Sequence, residues 1–203
     1  MEQQGHNGMG GSSLEREHMD CKLDCEPRLD YLLSLALGAG ATEAGYISVE
    51  DLEFNPAIRD ICASNSCGMY GRTWACPPAV GSLDDCRERC SKFNTMMLFS
   101  KVFELEDSYD FEGMAQALRD FEITADEVQQ ALAPEVGECL VLSNEGCGRC
   151  ASCTFPDNTC RFPDLLHHSI EGYGFNVTRL AKQAGMTYSY GPGSVVFFGA
   201  ALF

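Results

Sequence analysis

Twelve cysteines in 203 residues carry the chain's most reactive chemistry, and their spacing sorts them into groups. In "CGRCASCTFPDNTCRFP", Cys147, Cys150 and Cys153 recur at every third position, and Cys160 follows with Pro163 close behind. A tight loop with that spacing aims three thiolates at one compact centre, and a more distant fourth closes it. Bacterial ferredoxin loops hold a cubane [4Fe-4S] cluster in this way. Zinc sites usually draw on two separated C-x2-C pairs, because a tetrahedral ion takes ligands from opposed directions. The run of three therefore favours iron–sulfur, with zinc as the alternative. One departure is that six residues separate Cys153 from Cys160 where the ferredoxin run has three.

A second group is looser: Cys62, Cys67 and Cys76, with Cys86 as the expected fourth ligand. Within it, "GMYGRTWACPPAVG" sets the chain's single tryptophan beside a Cys-Pro-Pro. Prolines do not suit a ladder, so this stretch reads as a loop folded around what its cysteine holds. A Cys-Pro also ends the ferredoxin run, where the last cysteine serves the other cluster, so Cys76 is a candidate for either centre. Tyr70 and Trp74 would screen a cluster from water, and such burial shifts its potential; an ordinary core role for Trp74 is compatible with this. Cys86 and Cys90 stand one helical turn apart, as Cys21 and Cys25 would in a helix. For Cys21, Cys25, Cys90 and Cys139 the reading is a small buried hydrophobe. His167 and His168 adjoin the run of cysteines as neighbours or surface residues rather than ligands.

Thirty acidic residues against 14 basic ones give a net charge of −16. Such a chain repels phosphate backbones and anionic lipid, which argues against nucleic-acid and membrane partners and suits a basic protein partner. The N-terminus lacks the cationic start and apolar stretch of a signal peptide, and no apolar run reaches membrane-spanning length. A cytoplasmic location follows as the expectation, and there thiols stay reduced and serve metals or redox chemistry more than disulfides.

The elements that must position these cysteines are legible in outline. Residues 1–20 read as a flexible tail, and 21–203 as a single cysteine-rich domain. A helix is expected from Pro27 to Leu37, then a strand over 43–49. Asn55-Pro56 caps a short helix running into Cys62. Ser82 with Asp85 makes a capping box for a helix reaching about Phe93. A strand over 96–105 precedes an acidic helix from about Asp110 to Ala133, with a break near Thr124. A strand over 139–143 leads into the cysteine run. A helix over 177–184 and a hairpin of "MTYSY" with "VVFFGAALF" close the chain. Without a regular βαβ rhythm, this predicts an α+β domain: a mixed, largely antiparallel sheet, helices on one face, and two cysteine-rich loops at element ends.

No radical C-x3-C-x2-C motif, P-loop, H-E-x-x-H or G-x-S-x-G is present, and "GAGATE" fails the dinucleotide fingerprint at Glu43. "CASNSCGMYGRTWACPPAVGSLDDCRERC", "CGRCASCTFPDNTCRFPDLLHHSIEGYGFNV" and "SVVFFGAALF" resemble the bacterial and archaeal family of predicted metal-binding proteins, domain of unknown function 2284, from about residue 28 onward. The resemblance assigns Cys62, Cys67 and Cys76 to one block and Cys147, Cys150, Cys153 and Cys160 to the other, and leaves Cys21, Cys25 and Cys90 outside. "SIEGYG" (169–174) stands where the family more often shows S-M-E-A-x-G. The resemblance implies metal binding and no particular reaction.

Three functions compete on these grounds. The first is a protein with one or two [4Fe-4S] clusters that passes electrons to a redox partner. The second is an iron–sulfur enzyme with an open iron acting on a small molecule. The third is a zinc-stabilised adaptor.

Overall fold

The computed structural model describes residues 28–107, 109–144 and 146–203. The expected tail, with Cys21 and Cys25, lies outside the described residues. Helix α1 covers 28–38 and buries Leu32 and Ala36, one turn apart. There follow β1 (Glu43–Ser48), α2 (Pro56–Ala63), α3 (Leu83–Cys90), β2 (Thr95–Glu104), α4 (Phe111–Val136), β3 (Leu140–Ser143), β4 (His168–Ser169), α5 (Val177–Gln183) and β5 (Ser194–Leu202). The strands form one sheet in the order β1-β2-β5-β3-β4. Every pairing is antiparallel except β3 with β4, so the fold is α+β with a mixed, largely antiparallel sheet.

The expectation of helices on one face is corrected: they cover both. Met97, Phe99, Val141 and Ala201 pack with Leu32 of α1 and with Phe121, Ala125, Val128 and Leu132 of α4. Met96, Leu98, Leu142 and Ala200 pack on the other side with Cys86 and Cys90 of α3 and with Leu180 and Ala181 of α5. The cause is in the strands themselves. "MMLF" and "GAAL" are continuous apolar runs, and a strand with no polar alternation must be covered on both faces.

The closing hairpin is also corrected. β5 is central, hydrogen-bonded to β2 on one side and β3 on the other, so residues 186–190 have no free edge beside it. They run irregularly, with Tyr188 stacked on Phe198 and Tyr190 hydrogen-bonded to Glu43. Helix α4 continues unbroken through Thr124, whose hydroxyl bonds back to the Asp120 carbonyl at 3.0 Å and accepts from Lys101 Nζ at 2.8 Å.

Gly199 of β5 lies opposite Phe99 of β2, and the phenyl ring covers it. A Cβ there would stand 2.2 Å from Phe99 Cζ. Phe99 is fully buried against Phe121, so it has little room to yield. Gly199→Ala is expected to lower stability by about 1–3 kcal/mol through overpacking, read as a fall in the urea midpoint.

Candidate metal centres

The helix ahead of the first cysteine group starts where its residues dictate. Asn55 Oδ1 accepts the Ala57 amide at 2.9 Å, and Pro56 opens α2, which carries Cys62 in its last turn. The chain then reverses through Asn65, held at φ 56°, whose side chain accepts the Tyr70 amide at 3.0 Å. It returns as the 70–77 segment, where Gly71 N donates to Pro77 O at 2.8 Å. Ser82 and Asp85 form the expected capping box and start α3 immediately beyond.

Cys62, Cys67 and Cys76 line one cavity of about 330 Å³, together with Ile58, Ile61, Met69, Tyr70, Pro77 and Glu171. Cys86, the expected fourth, is not brought to it. That side chain is fully buried in the α3–sheet core, near the Val80 and Gly172 carbonyls and 3.3 Å from the Arg89 guanidinium. The capping box fixes the phase of α3 so that both Cys86 and Cys90 turn toward the sheet. Cys86→Ala is therefore expected to cost stability, about 1 kcal/mol, while metal content per chain stays at the wild-type value in elemental analysis.

The second group occupies the connection between the parallel neighbours β3 and β4. Cys147, Cys150, Cys153 and Cys160 all line one narrow cleft with Trp74, Arg149 and Phe162. Trp74 packs edge-on against Phe155 with centroids 5.0 Å apart, and its Nε1 donates to Asn158 O at 3.2 Å. Tyr70 and Cys76 thus face the first cavity and Trp74 the second, so the 70–77 segment is the wall between them. Cys76 ends beside the first group while touching the second: the amide of Gly146, next to Cys147, donates to its Sγ at 3.3 Å.

Behind the second group lies a buried network that the cysteine spacing does not foretell. Glu122, Asp126 and Gln129 form one stripe of α4, at separations of four and three residues. Asp126 takes both terminal nitrogens of Arg149, at 2.8 and 2.6 Å, and Glu122 Oε2 stands 3.6 Å from the same guanidinium. Glu122 also accepts the Ser143 hydroxyl at 2.6 Å, and His167 Nε2 meets Gln129 Oε1 at 3.1 Å. Sequence reasoning placed His167 and His168 near the cysteines or at the surface, and the structure puts His167 in the interior, 3 % exposed. Burial pushes the Glu122 carboxyl up and both imidazoles down, His168 to about 4.

The cysteines carry the same mark of burial. It pushes Cys62 up to about 11, with Glu171 and Cys76 adding their charge. It also raises Cys147 and Cys76, the latter against hydrogen bonds from Thr73, Gly146 and Ser169 that favour its thiolate. The Thr73 hydroxyl is buried and has no partner among the described residues other than this sulfur, as suits a donor aimed at a ligating thiolate. Each raised thiol must release a proton to bind metal, so uptake strengthens as pH rises.

Among the described residues no three His, Cys, Asp or Glu side chains converge closely enough to hold a single ion directly. The first cavity has room for a polynuclear cluster, and its three thiols suit iron or zinc. The second cleft measures about 10 Å³, on the order of one water, so holding a polynuclear cluster would require its loop to widen. Cys90 stays in the core and Cys139 packs half-buried under α4. Among the described residues no helix is long and apolar enough to cross a membrane.

Comparison with known proteins adds three findings. No curated protein matches the chain. Among solved structures it is similar to epoxyqueuosine reductase from Bacillus subtilis at 10% identity and a TM-score of 0.43, over 86% of this chain and 45% of that one. The chain spans less than half of that structure, and a likeness at this level carries no argument. Residues 45–203, which hold both cysteine groups and all five strands except the first two residues of β1, match the family model described as predicted metal-binding protein, and the chain belongs to that family, the domain of unknown function 2284.

Proposed function

We propose that this metal-binding protein carries two [4Fe-4S] clusters, one on Cys62, Cys67 and Cys76 and one on Cys147, Cys150, Cys153 and Cys160, and passes electrons to a partner protein. The observation that carries the reading is the contact between the groups. The Gly146 amide donates to Cys76 Sγ at 3.3 Å, and the next residue is a candidate ligand of the other centre. When bound, such clusters supply one-electron chemistry at potentials set by hydrogen bonds to sulfur and by solvent exposure. The chain supplies both controls. Gly146, Thr73 and Ser169 donate toward Cys76, and Tyr70 and Trp74 shield one side of each group. The net charge of −16 favours a basic partner face, which would steer the encounter.

Anaerobic purification tests this. The expected product is a brown protein with roughly eight iron atoms and matching labile sulfide per chain, bleached by dithionite. A colourless protein with stoichiometric zinc overturns it and supports the adaptor reading. A second reading draws on a specific observation: among the described residues three cysteines line the first cavity, whose walls are mostly apolar. An iron there without a cysteine ligand would be open to a small molecule as a Lewis acid, making the protein an enzyme.

A further inference from the structure

We propose that the Glu171 carboxylate is the fourth ligand of the first centre, in the position that sequence spacing assigned to Cys86. The inference rests on the reading of Cys62, Cys67 and Cys76 as ligands of one cluster. Among the described residues Glu171 is the carboxylate lining that cavity, beside Ile58, Ile61, Met69, Pro77, Tyr70 and two serines.

Three separate ties hold it there. Glu171 opens the single turn Glu171–Tyr173 that follows β4, and β4 is bound to the cysteine segment by Ser169 N donating to Ala75 O at 2.8 Å. Arg59 of α2, the helix that carries Cys62, donates to Gly172 O at 2.7 Å. Gly172 itself lets the turn press in, since a Cβ there would lie 2.5 Å from Ser169 Oγ and 3.4 Å from Pro77 Cδ. Cys62, Cys76 and Glu171 are thus fixed relative to one another by contacts to adjacent residues, whereas Cys86 is held in the core at the Gly172 carbonyl and does not line the cavity.

Donor chemistry points the same way: three thiols and a carboxylate line one cavity, and each binds iron once deprotonated. Oxygen is a harder donor than sulfur, so the iron it binds would be distinct from the other three and the most readily exchanged.

The test uses the full chain, reconstituted anaerobically with iron and sulfide, with Cys147→Ala, Cys150→Ala and Cys153→Ala together as background so that the first centre is seen alone. Iron content, electron paramagnetic resonance and Mössbauer spectra are the readouts. Glu171→Ala and Glu171→Gln are expected to lose about one iron per chain and give a three-iron signal on oxidation. Glu171→Cys is expected to restore the fourth iron with an all-thiolate spectrum, which separates a ligand role from a folding defect. Unchanged iron and spectra in all three variants overturn the inference. If Cys62→Ala also leaves the first centre's spectrum unchanged, the ligand reading of that group fails as well. A wild-type chain that takes up no iron overturns the cluster reading and this inference with it.

Discussion

Replacing Arg149 with Met is expected to destabilise the folded chain by about 3–5 kcal/mol, the cost of stranding buried charge. Arg149 sits between Cys147 and Cys150, and its guanidinium binds both carboxylate oxygens of Asp126, with Glu122 3.6 Å away. The Arg149 and Asp126 side chains are each 14 % exposed and Glu122 is 6 % exposed, so water cannot take over the lost contacts. Without the cation, two carboxylates one helical turn apart would face each other in the interior, and one must take up a proton. Intact, the pair yields little net stability, because desolvating the ions offsets much of their attraction. What it gives is position: it clamps the cysteine loop to α4. The double variant Arg149→Met with Asp126→Leu is therefore expected to recover much of the loss, since neither partner is then left unpaired. Urea midpoints of the wild type, both single variants and the double variant measure the coupling. Additive single and double effects would show that the clamp does not exist. In either single variant the 147–153 loop should also be cut faster by protease than in the wild type.

Much of this arrangement was legible before any coordinates, and the reasons divide by range. Signals that act within a few residues held: Asn55-Pro56 and Ser82 with Asp85 start α2 and α3 as their hydrogen bonds require. The C-x2-C-x2-C run likewise lies in one loop, and its three cysteines line one cleft. What failed depended on partners distant in sequence or on the phase of a helix. The "MTYSY" stretch alternates well enough for a strand, but β5 spends both its edges on β2 and β3. Thr124 looks like a helix breaker until Lys101 and the Asp120 carbonyl satisfy its hydroxyl. Cys86 has a suitable spacing, but the helix phase set at Ser82 turns it inward. Two-sided cover of the sheet was present in the sequence as the unbroken apolar runs of β2 and β5. Glu171 carried no local signal at all: a lone carboxylate gains meaning only when β4 docks beside Ala75.

Acid is expected to weaken the fold through His168, and the sign follows from its surroundings. Burial, then the charges of Arg89 and His167, push this imidazole down to about 4 from an ordinary 6.5. Its Nδ1 lies 3.2 Å from the Tyr173 hydroxyl, which already accepts from Arg89 Nε at 2.8 Å. The hydroxyl proton is therefore given to Nδ1, and the neutral ring keeps its own proton on Nε2. Protonation would remove that acceptor and set a cation beside Arg89. Because the folded value is depressed, the unfolded chain binds more protons between pH 6.5 and pH 4. Stability is then fully present above about pH 6.5 and falls as pH drops toward 4. The loss between pH 7 and pH 5 is about 2 kcal/mol from this residue. His167, pushed down by burial, adds in the same direction, and the raised Glu122 carboxyl acts with the opposite sign, stabilising as pH falls. His168→Gln isolates the His168 share, because its amide oxygen can accept from Tyr173 without titrating. Urea midpoints at the two pH values should differ less in the variant than in the wild type, by about that 2 kcal/mol. Equal pH dependence in both proteins would mean that His168 is charged, or already solvated, in the folded chain.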